Sequence, residues 1–282
     1  MAVTIDVRPL TPTIGAEVFG VDLAHDLGDP TVVEAIRTAF VDRHVLVFRE
    51  QQLDRDAHLA FGRLFGELDV HPSRRGPDVD DPEIFVVHAD EGSRLNNGGL
   101  WHTDLSCNEI PPLGSMLRLV ESPSNGGDTL FADMHAAYDT LSDPLREMLV
   151  GLTAVHDQRR DIARYGYEPR PGVVYPVSSH PVVATHQETG RPLLYVNRAF
   201  TTRIEQLSEL ESDRVLSLLY DHIAGNPALH CRVRWEPGTL TFWDNRSCQH
   251  FAVWDYWPDR RVGERVTVAG TCRPVAFEGA AA

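Results

Sequence analysis

Hydrophobic residues along the chain fall mainly in short runs that alternate with polar residues, which is the pattern of β-strands. Glycine, proline and asparagine residues punctuate these runs and mark turns. Many short strands with a few inserted helices favour a mainly β fold, a double-stranded β-helix or jelly roll. The pattern predicts strands at residues 3–7, 45–48, 84–87, 116–120, 129–131, 180–183, 193–196, 230–235, 240–243 and 266–269.

Capping residues locate the starts of the inserted helices. Asp29 followed by Pro30 suits the N-cap and first position of a helix, and Asp54 suits the N-cap of a second helix. Ser208 with Glu211 has the spacing of a capping box and predicts a helix behind it. Because β-rich enzymes of this length are often a single unit, we expect residues 1–282 to form one domain.

Two segments are expected to lack regular structure. Residues 158–180 contain three prolines and a glycine within eight positions, from Pro169 to Pro176. Residues 90–99 are polar and rich in glycine and asparagine, and they lead directly into Trp101 and His102. This second loop could act as a lid over a site at His102 or could be an ordinary surface loop.

The chain is strongly acidic, with 26 Lys and Arg residues against 41 Asp and Glu residues, a net charge of 26 − 41 = −15. This balance argues against binding to nucleic acid or to anionic membranes, so a site for an anionic small molecule must be locally basic. No apolar run reaches membrane-spanning length, and the first residues lack a signal-peptide pattern. The four cysteines show no metal or disulfide spacing, so we expect a cytoplasmic protein with reduced thiols.

The segment Trp101-His102-Thr103-Asp104 carries the first candidate chemistry. Residues two apart in an extended chain point to the same face, so the His102 imidazole and the Asp104 carboxylate can converge on one point. Two histidines and one carboxylate that leave one side of a metal open form the facial triad of non-haem Fe(II) oxygenases. A histidine and an aspartate that are only neighbours at the end of a strand would give the same short pattern. The interpretation as a metal site therefore depends on a third ligand further along the chain.

The chain resembles the taurine dioxygenase-like branch of the Fe(II)/2-oxoglutarate-dependent dioxygenases over nearly its whole length. The resemblance rests on His102-x-Asp104, on Thr129 some two dozen residues later, on His250, and on Arg261 after ten intervening residues. It implies that His102, Asp104 and His250 bind Fe(II). It also implies that Thr129 and Arg261 bind 2-oxoglutarate, with Arg261 offering a planar fork to a carboxylate.

The resemblance further implies a substrate-binding set. Arg265 matches the arginine that holds a sulfonate, and it shares a strand face with Arg261 if that strand continues. His71 matches a second sulfonate contact, although a histidine in a proline-rich turn could equally be a loop residue. Phe200 matches a residue that lines the substrate pocket, and a role in core packing is an equal alternative.

Two positions depart from the taurine dioxygenase pattern. The family has a tyrosine three residues after the pocket histidine and an asparagine four residues before the first iron ligand, and both hold the amine end of taurine. Here these positions are Arg74 and Gly98. The anion-binding half of the pocket is therefore retained and the amine-binding half is not, which favours an anionic substrate that lacks an ammonium group.

We predict a single catalytic domain that hydroxylates a C–H bond of a small anionic substrate, using Fe(II), 2-oxoglutarate and O₂ and releasing succinate and CO₂. A sulfonate or a sulfate ester is expected, with a carboxylate such as an aryloxyalkanoate or a biosynthetic intermediate as the alternative. A zinc hydrolase with the same three ligands, or a small-molecule binder without turnover, are the rivals from other classes. We also expect a homo-oligomer, a dimer or a tetramer.

Overall fold

A computed structural model describes residues 5–71, 74, 80–96 and 98–279, and these residues form mainly β-sheet with inserted helices. The predicted mainly β composition is thereby confirmed. The strands within this part of the chain are β1 (Asp6–Pro9), β2 (Ala16–Phe19), β3 (Val45–Phe48), β4 (Leu68–Asp69), β5 (Ile84–Ala89), β6 (Gly114–Glu121), β7 (Thr129–Asp133), β8 (Thr153–Asp157), β9 (Val177–Pro181), β10 (Val183–Thr185), β11 (Pro192–Leu194), β12 (Thr201–Ile204), β13 (His230–Val233), β14 (Leu240–Asp244), β15 (Cys248–Ala252), β16 (Arg261–Val268) and β17 (Val275–Ala276). The helices are α1 (Pro30–Arg43), α2 (Arg55–Arg63), α3 (Met134–Asp139), α4 (Asp143–Leu149), α5 (Gln158–Arg164) and α6 (Glu209–Gly225).

The largest sheet has eight strands in the order β1-β2-β3-β14-β6-β16-β4, and β5 also pairs with β16. Strands β2 and β3 run parallel, and the other pairs in this sheet are antiparallel. Strand β16 lies between β5 and β6, with Arg265 opposite Phe85 on one side and Leu117 on the other. Because side chains alternate along a strand, Arg261 and Arg265 lie on the same face of β16.

A three-stranded sheet, β13-β7-β15, packs its inner face against the large sheet. A shared buried cluster contains Phe131 and Cys231 from the small sheet and Val47, Leu117 and Trp243 from the large one. The gap between the two sheets is therefore filled by side chains from both. The candidate site lies in this gap, because β15 carries His250 and β16 carries the two arginines.

Helices cover the outer face of the large sheet. Phe40 of α1 stacks on Phe242 of β14 with ring centroids 3.9 Å apart, and Phe61 of α2 meets Phe242 edge-on at 6.0 Å. Each fully buried phenylalanine contributes about 1.5–3 kcal/mol through its removal from water. Beyond the small sheet, α3 and α6 share a second core with the sheets β12-β8-β9 and β11-β10-β17.

The capping signals are confirmed. The Asp29 side chain accepts a hydrogen bond from Thr31 N at the start of α1, and Asp54 caps α2 through Ala57 N. The Ser208–Glu211 capping box is present at the start of α6. These starts were predictable because a cap joins residues only two or three positions apart.

Two sequence predictions of local structure were wrong. The segment 158–180, expected to be irregular, contains helix α5 and most of strand β9, because its prolines lie after the helix and leave it intact. The single strand predicted at 180–183 is two strands that belong to different sheets. Among the described residues, the structure contains no helix long and apolar enough to cross a membrane.

Candidate active site

His102, Asp104 and His250 come together in the gap between the two sheets. The backbones of His102 and His250 pair as an isolated bridge, with N–O distances of 3.1 and 2.9 Å, and their rings lie 4.0 Å apart between centroids. Asp104 Oδ1 lies 3.7 Å from His102 Nε2 and 3.9 Å from His250 Nε2. One potential ligand atom from each residue lies within 4.8 Å of the others, and all three residues are buried.

The environment orients the first two side chains toward this common point. The His102 Nδ1 atom lies 2.7 Å from the Leu100 carbonyl oxygen, so this nitrogen carries the proton and donates. Its Nε2 lone pair is then free for a metal, which is the usual arrangement of a ligating histidine. Asp104 Oδ2 accepts a hydrogen bond from Ser115 Oγ at 3.3 Å, while Oδ1 faces the two imidazoles.

The surroundings of Asp104 and His250 favour the protonation states that a metal ligand requires. Burial alone would raise the pKa of Asp104, but the Arg265 guanidinium, with His250 and His102, holds that pKa well below its usual range. Burial, reinforced by His102 and Arg265, holds the pKa of His250 well below that of free imidazole. An ionised Asp104 carboxylate beside a neutral His250 imidazole suits the binding of divalent iron.

A cavity opens beside the two histidines. Its polar side chains are few, and both arginines of β16 are among them. The walls come from both sheets: Phe85, Val87, Leu117, Trp243, Arg261 and Arg265 on one side, and Thr129, Phe131, His250 and Ala252 on the other, closed by Gly98, His102 and Trp235. Predominantly apolar walls with a few polar groups are typical of a small-molecule site.

Arg261 is a buried cation, 4% exposed, in this cavity. Among the described residues no carboxylate lies within ion-pair distance of it, and its Nε atom has no hydrogen-bond partner. Burial lowers the pKa of its guanidinium. A buried charge that lacks a protein partner is costly, so the residue fits a pocket completed by an anion.

Arg265 lies deeper, at the metal-ligand cluster. Its Nη1 donates to Asp104 Oδ1 at 3.0 Å, and its guanidinium lies 5.1 Å above the centroid of the Phe85 ring. His71 also packs against Phe85, with ring centroids 4.2 Å apart. His71 and Arg265 also line a smaller cavity, together with Asp104. The two residues predicted to hold the substrate anion therefore flank the same carboxylate ligand.

The remaining substrate candidates have different positions. Gly98 lines the large cavity, and a Cβ atom on it would lie 3.2 Å from His102 Cε1. Arg74 directs its guanidinium to the backbone, donating to the carbonyl oxygen of Asp80 at 2.6 Å. Phe200 is buried against Cys107 and Ala199 and is not among the residues that line the two cavities at the metal ligands.

Sequence reasoning missed three residues of the site. Asn245 accepts a hydrogen bond from Asp104 N and donates to the Asp104 carbonyl oxygen, at 2.8 and 2.9 Å. Trp235 lines the cavity and donates to Thr129. The third is Trp243, which belongs to the buried core and also lines the cavity. The only sequence signal for Asn245 was its place in a polar turn just before His250.

The three side chains could hold one metal ion, and the buried Arg261 lines the cavity beside them. The chain matches the family model of the taurine catabolism dioxygenase TauD, TfdA family over residues 6–267 and belongs to that family. It is a non-haem iron dioxygenase that depends on 2-oxoglutarate. The family and the enzyme class predicted from the sequence are therefore confirmed.

Similar proteins include an alpha-ketoglutarate-dependent sulfate ester dioxygenase from Pseudomonas putida, 38% identical over 99% of this chain and 93% of that protein. An alpha-ketoglutarate-dependent sulfonate dioxygenase from Saccharomyces cerevisiae is 35% identical over 93% of this chain, which spans 66% of the yeast protein. Among solved structures, a taurine dioxygenase from Burkholderia xenovorans superposes with a TM-score of 0.83 at 36% identity, covering 98% of this chain and 94% of that one.

Proposed function

We propose that this enzyme hydroxylates a C–H bond of a small sulfate ester or sulfonate that lacks an ammonium group. The observation that carries the proposal is the pair of arginines in one cavity. Arg261 is buried without a carboxylate partner among the described residues, and Arg265 contacts Asp104, one of the three proposed metal ligands. Two anions, 2-oxoglutarate and a substrate, would satisfy the two cations, and the relatives that act on sulfate esters and sulfonates support the substrate class.

Each residue has a role that follows from its position. His102, Asp104 and His250 would hold Fe(II), which supplies the oxidation chemistry when it is bound with O₂ and 2-oxoglutarate. Arg261 would bind the distal carboxylate of 2-oxoglutarate through its planar fork, and Thr129 would add a hydroxyl donor. The apolar walls exclude water from the reacting atoms.

Arg265 and His71 would bind the sulfate or sulfonate group and hold the adjacent C–H bond near the metal. In the overall reaction, 2-oxoglutarate loses CO₂ and becomes succinate, with one oxygen atom of O₂ entering the succinate and the other the substrate. A hydroxylated carbon that carries sulfate or sulfonate collapses to a carbonyl compound and sulfate or sulfite. The protein contributes orientation, charge and a dry cavity.

Gly98 and Arg74 support the exclusion of taurine as the best substrate. Gly98 has no side chain to accept an ammonium, and the Arg74 guanidinium is engaged by the carbonyl oxygen of Asp80. Phe200 would contribute through its packing with Cys107 and Ala199. An anionic substrate with an aliphatic or aromatic tail therefore fits the cavity better than one with a second charge.

We further propose that the chain is a single catalytic domain with a jelly-roll core made of the large sheet and the sheet β13-β7-β15. The close similarity to taurine dioxygenase structures supports this assignment. The four free cysteines, three of them buried, fit a reducing compartment, and we place the enzyme in the cytoplasm. We propose that it works as a dimer or tetramer.

The test is a substrate panel of alkyl sulfate esters, alkyl and aryl sulfonates, aryloxyalkanoates and taurine, with succinate formation as the readout. Amine-free sulfates or sulfonates should exceed taurine by about tenfold or more in kcat/KM, which corresponds to about 1.4 kcal/mol of transition-state binding. Taurine as the best substrate would refute the pocket argument, and the best rate on an aryloxyalkanoate would move the enzyme to carboxylates. Product formation without succinate would instead indicate a hydrolase.

A further inference from the structure

Trp235 follows strand β13 and forms the end wall of the cavity, where it lies against two residues of the proposed 2-oxoglutarate pocket. It is buried, with 6% of its surface exposed. Its indole nitrogen lies 3.0 Å from Thr129 Oγ1, and its ring lies 5.5 Å from the Arg261 guanidinium carbon. One side chain thus contacts both groups that would bind the same carboxylate.

The hydrogen bond fixes the direction of the Thr129 hydroxyl. An indole N–H can only donate, so Thr129 Oγ1 must accept, and its own hydrogen cannot point at Trp235. Within the described part of the chain, that hydroxyl hydrogen meets no acceptor, while Thr129 itself lines the cavity. The hydroxyl is therefore left as a donor aimed at a ligand in the cavity.

The ring face of Trp235 contacts the Arg261 guanidinium. A guanidinium within about 6 Å of an indole centroid is attracted by the negative face of the ring. Arg261 has no carboxylate partner among the described residues, so this contact stabilises the buried cation without neutralising it. The guanidinium keeps its full charge and its hydrogen-bond donors for an anion.

We propose that Trp235 is the positioning residue of the 2-oxoglutarate pocket. Its N–H makes the Thr129 hydroxyl a donor, and its ring holds the Arg261 guanidinium beside that donor. Both groups are then set for one carboxylate before the ligand arrives. The inference rests on the proposed function, because it assigns Thr129 and Arg261 to the distal carboxylate of 2-oxoglutarate.

The experiment is an anaerobic titration of the Fe(II) enzyme with 2-oxoglutarate, followed by the absorbance of the coloured complex. Trp235→Phe keeps a ring and removes the N–H, and should raise the dissociation constant about 3- to 10-fold, the effect of one hydrogen bond. Trp235→Leu also removes the aromatic face and should weaken binding further. Trp257→Phe is the matched control, because Trp257 is largely exposed and, within the described part of the chain, its N–H donates to the Glu91 carbonyl oxygen, away from the cavity.

A double-mutant cycle separates positioning from general packing. If Trp235 orients the Thr129 hydroxyl, Thr129→Ala should change the dissociation constant by less than about twofold in the Trp235→Phe background, although it is costly in the wild type. Trp235→Phe should raise the KM for 2-oxoglutarate by a larger factor than it lowers the turnover number, because the proposed role is in binding this cosubstrate. Iron affinity and thermal unfolding should change little.

Three results would overturn the inference. If Trp235→Phe bound 2-oxoglutarate with wild-type affinity while Arg261→Ala no longer bound it, the pocket would be correctly mapped and Trp235 would not organise it. If the effects of Trp235→Phe and Thr129→Ala on the free energy of 2-oxoglutarate binding were fully additive, positioning through the Thr129 hydroxyl would also be excluded. Wild-type affinity in Arg261→Ala would remove the proposed pocket itself, and the role of Trp235 with it.

Discussion

Arg265 Nη1 lies 3.0 Å from Asp104 Oδ1, the same oxygen that faces the imidazoles of His102 and His250. One cation therefore contacts Asp104, a proposed metal ligand, and also lines the cavity. A substrate anion that binds Arg265 would interact with the same guanidinium group as the Asp104 carboxylate. Through this shared contact, occupation of the substrate site would change the charge that the metal ligand experiences.

The first prediction concerns this arginine. Arg265→Ala should lower kcat/KM for the anionic substrate by about 30-fold or more, because truncating one partner of a buried charge pair costs about 2–5 kcal/mol. The anaerobic colour with 2-oxoglutarate should survive, and substrate-stimulated O₂ consumption should fall. Arg265→Lys should retain only part of the wild-type kcat/KM, since an ammonium keeps the charge but lacks the planar fork of a guanidinium. If Arg265→Ala lost 2-oxoglutarate and Arg261→Ala lost only the substrate, the roles of the two arginines would be exchanged.

The second prediction concerns the metal ligands. His102→Ala, Asp104→Ala and His250→Ala should each lose iron binding and succinate formation while the protein stays folded, because an open facial site needs all three ligands. Equilibrium dialysis with Fe(II) gives the readout. His180→Ala is the matched control, since His180 is also buried but bonds the Asn108 carbonyl oxygen away from the cluster. Tight iron binding by any of the three variants would contradict the assignment.

The third prediction concerns Gly98, which has a φ of +84°. Gly98→Asn restores the residue that the taurine dioxygenases carry, yet it should not confer efficient use of taurine. An added Cβ would lie 3.2 Å from His102 Cε1, so the side chain should displace this ligand and weaken iron binding. Gly98→Ala should weaken iron binding in the same direction. A Gly98→Asn enzyme with wild-type iron affinity and improved taurine turnover would show that the glycine alone excludes the amine.

The fourth prediction concerns Asn245, whose amide bonds the backbone of Asp104 and the Pro112 carbonyl oxygen. Asn245→Ala should lower iron affinity and also destabilise the fold, because each buried polar group left unpaired costs about 1–3 kcal/mol. Asn197→Ala removes an equally buried amide that bonds Phe200 N and Ser106 Oγ. This control should lose stability and keep its iron affinity. Equal iron affinities in the two variants would contradict a role for Asn245 in placing Asp104.

The fifth prediction concerns pH and stability. Burial, with a contribution from the Arg118 guanidinium, lowers the pKa of His58 to about 4, below the unfolded value of 6.5. Folding therefore favours the neutral imidazole. The stability it contributes is present above pH 6.5 and is lost as the pH falls toward 4, by up to about 3 kcal/mol. The free energy of unfolding, measured by urea titration, should fall less between pH 7 and pH 4.5 in His58→Leu than in the wild type. An unchanged pH dependence would mean that His58 does not become charged on unfolding in this range.

The sequence alone determined the features that depend on residues close together in the chain. The caps of α1, α2 and α6 join positions two or three apart, so their starts could be predicted. The two-residue spacing of His102 and Asp104 and the four-residue spacing of Arg261 and Arg265 fix a common face in extended chain. The enzyme family also followed from the order and spacing of these motifs.

Only the tertiary structure decided how distant residues meet. Asn245 reaches Asp104 across 141 positions of sequence, and Trp235 reaches Thr129 across 106. These contacts depend on the register of β7, β13, β14 and β15 and on the packing of two sheets, which no short pattern encodes. The same reason explains why Arg265 could be assigned to the cavity from its strand face, whereas its contact with Asp104 required the folded chain.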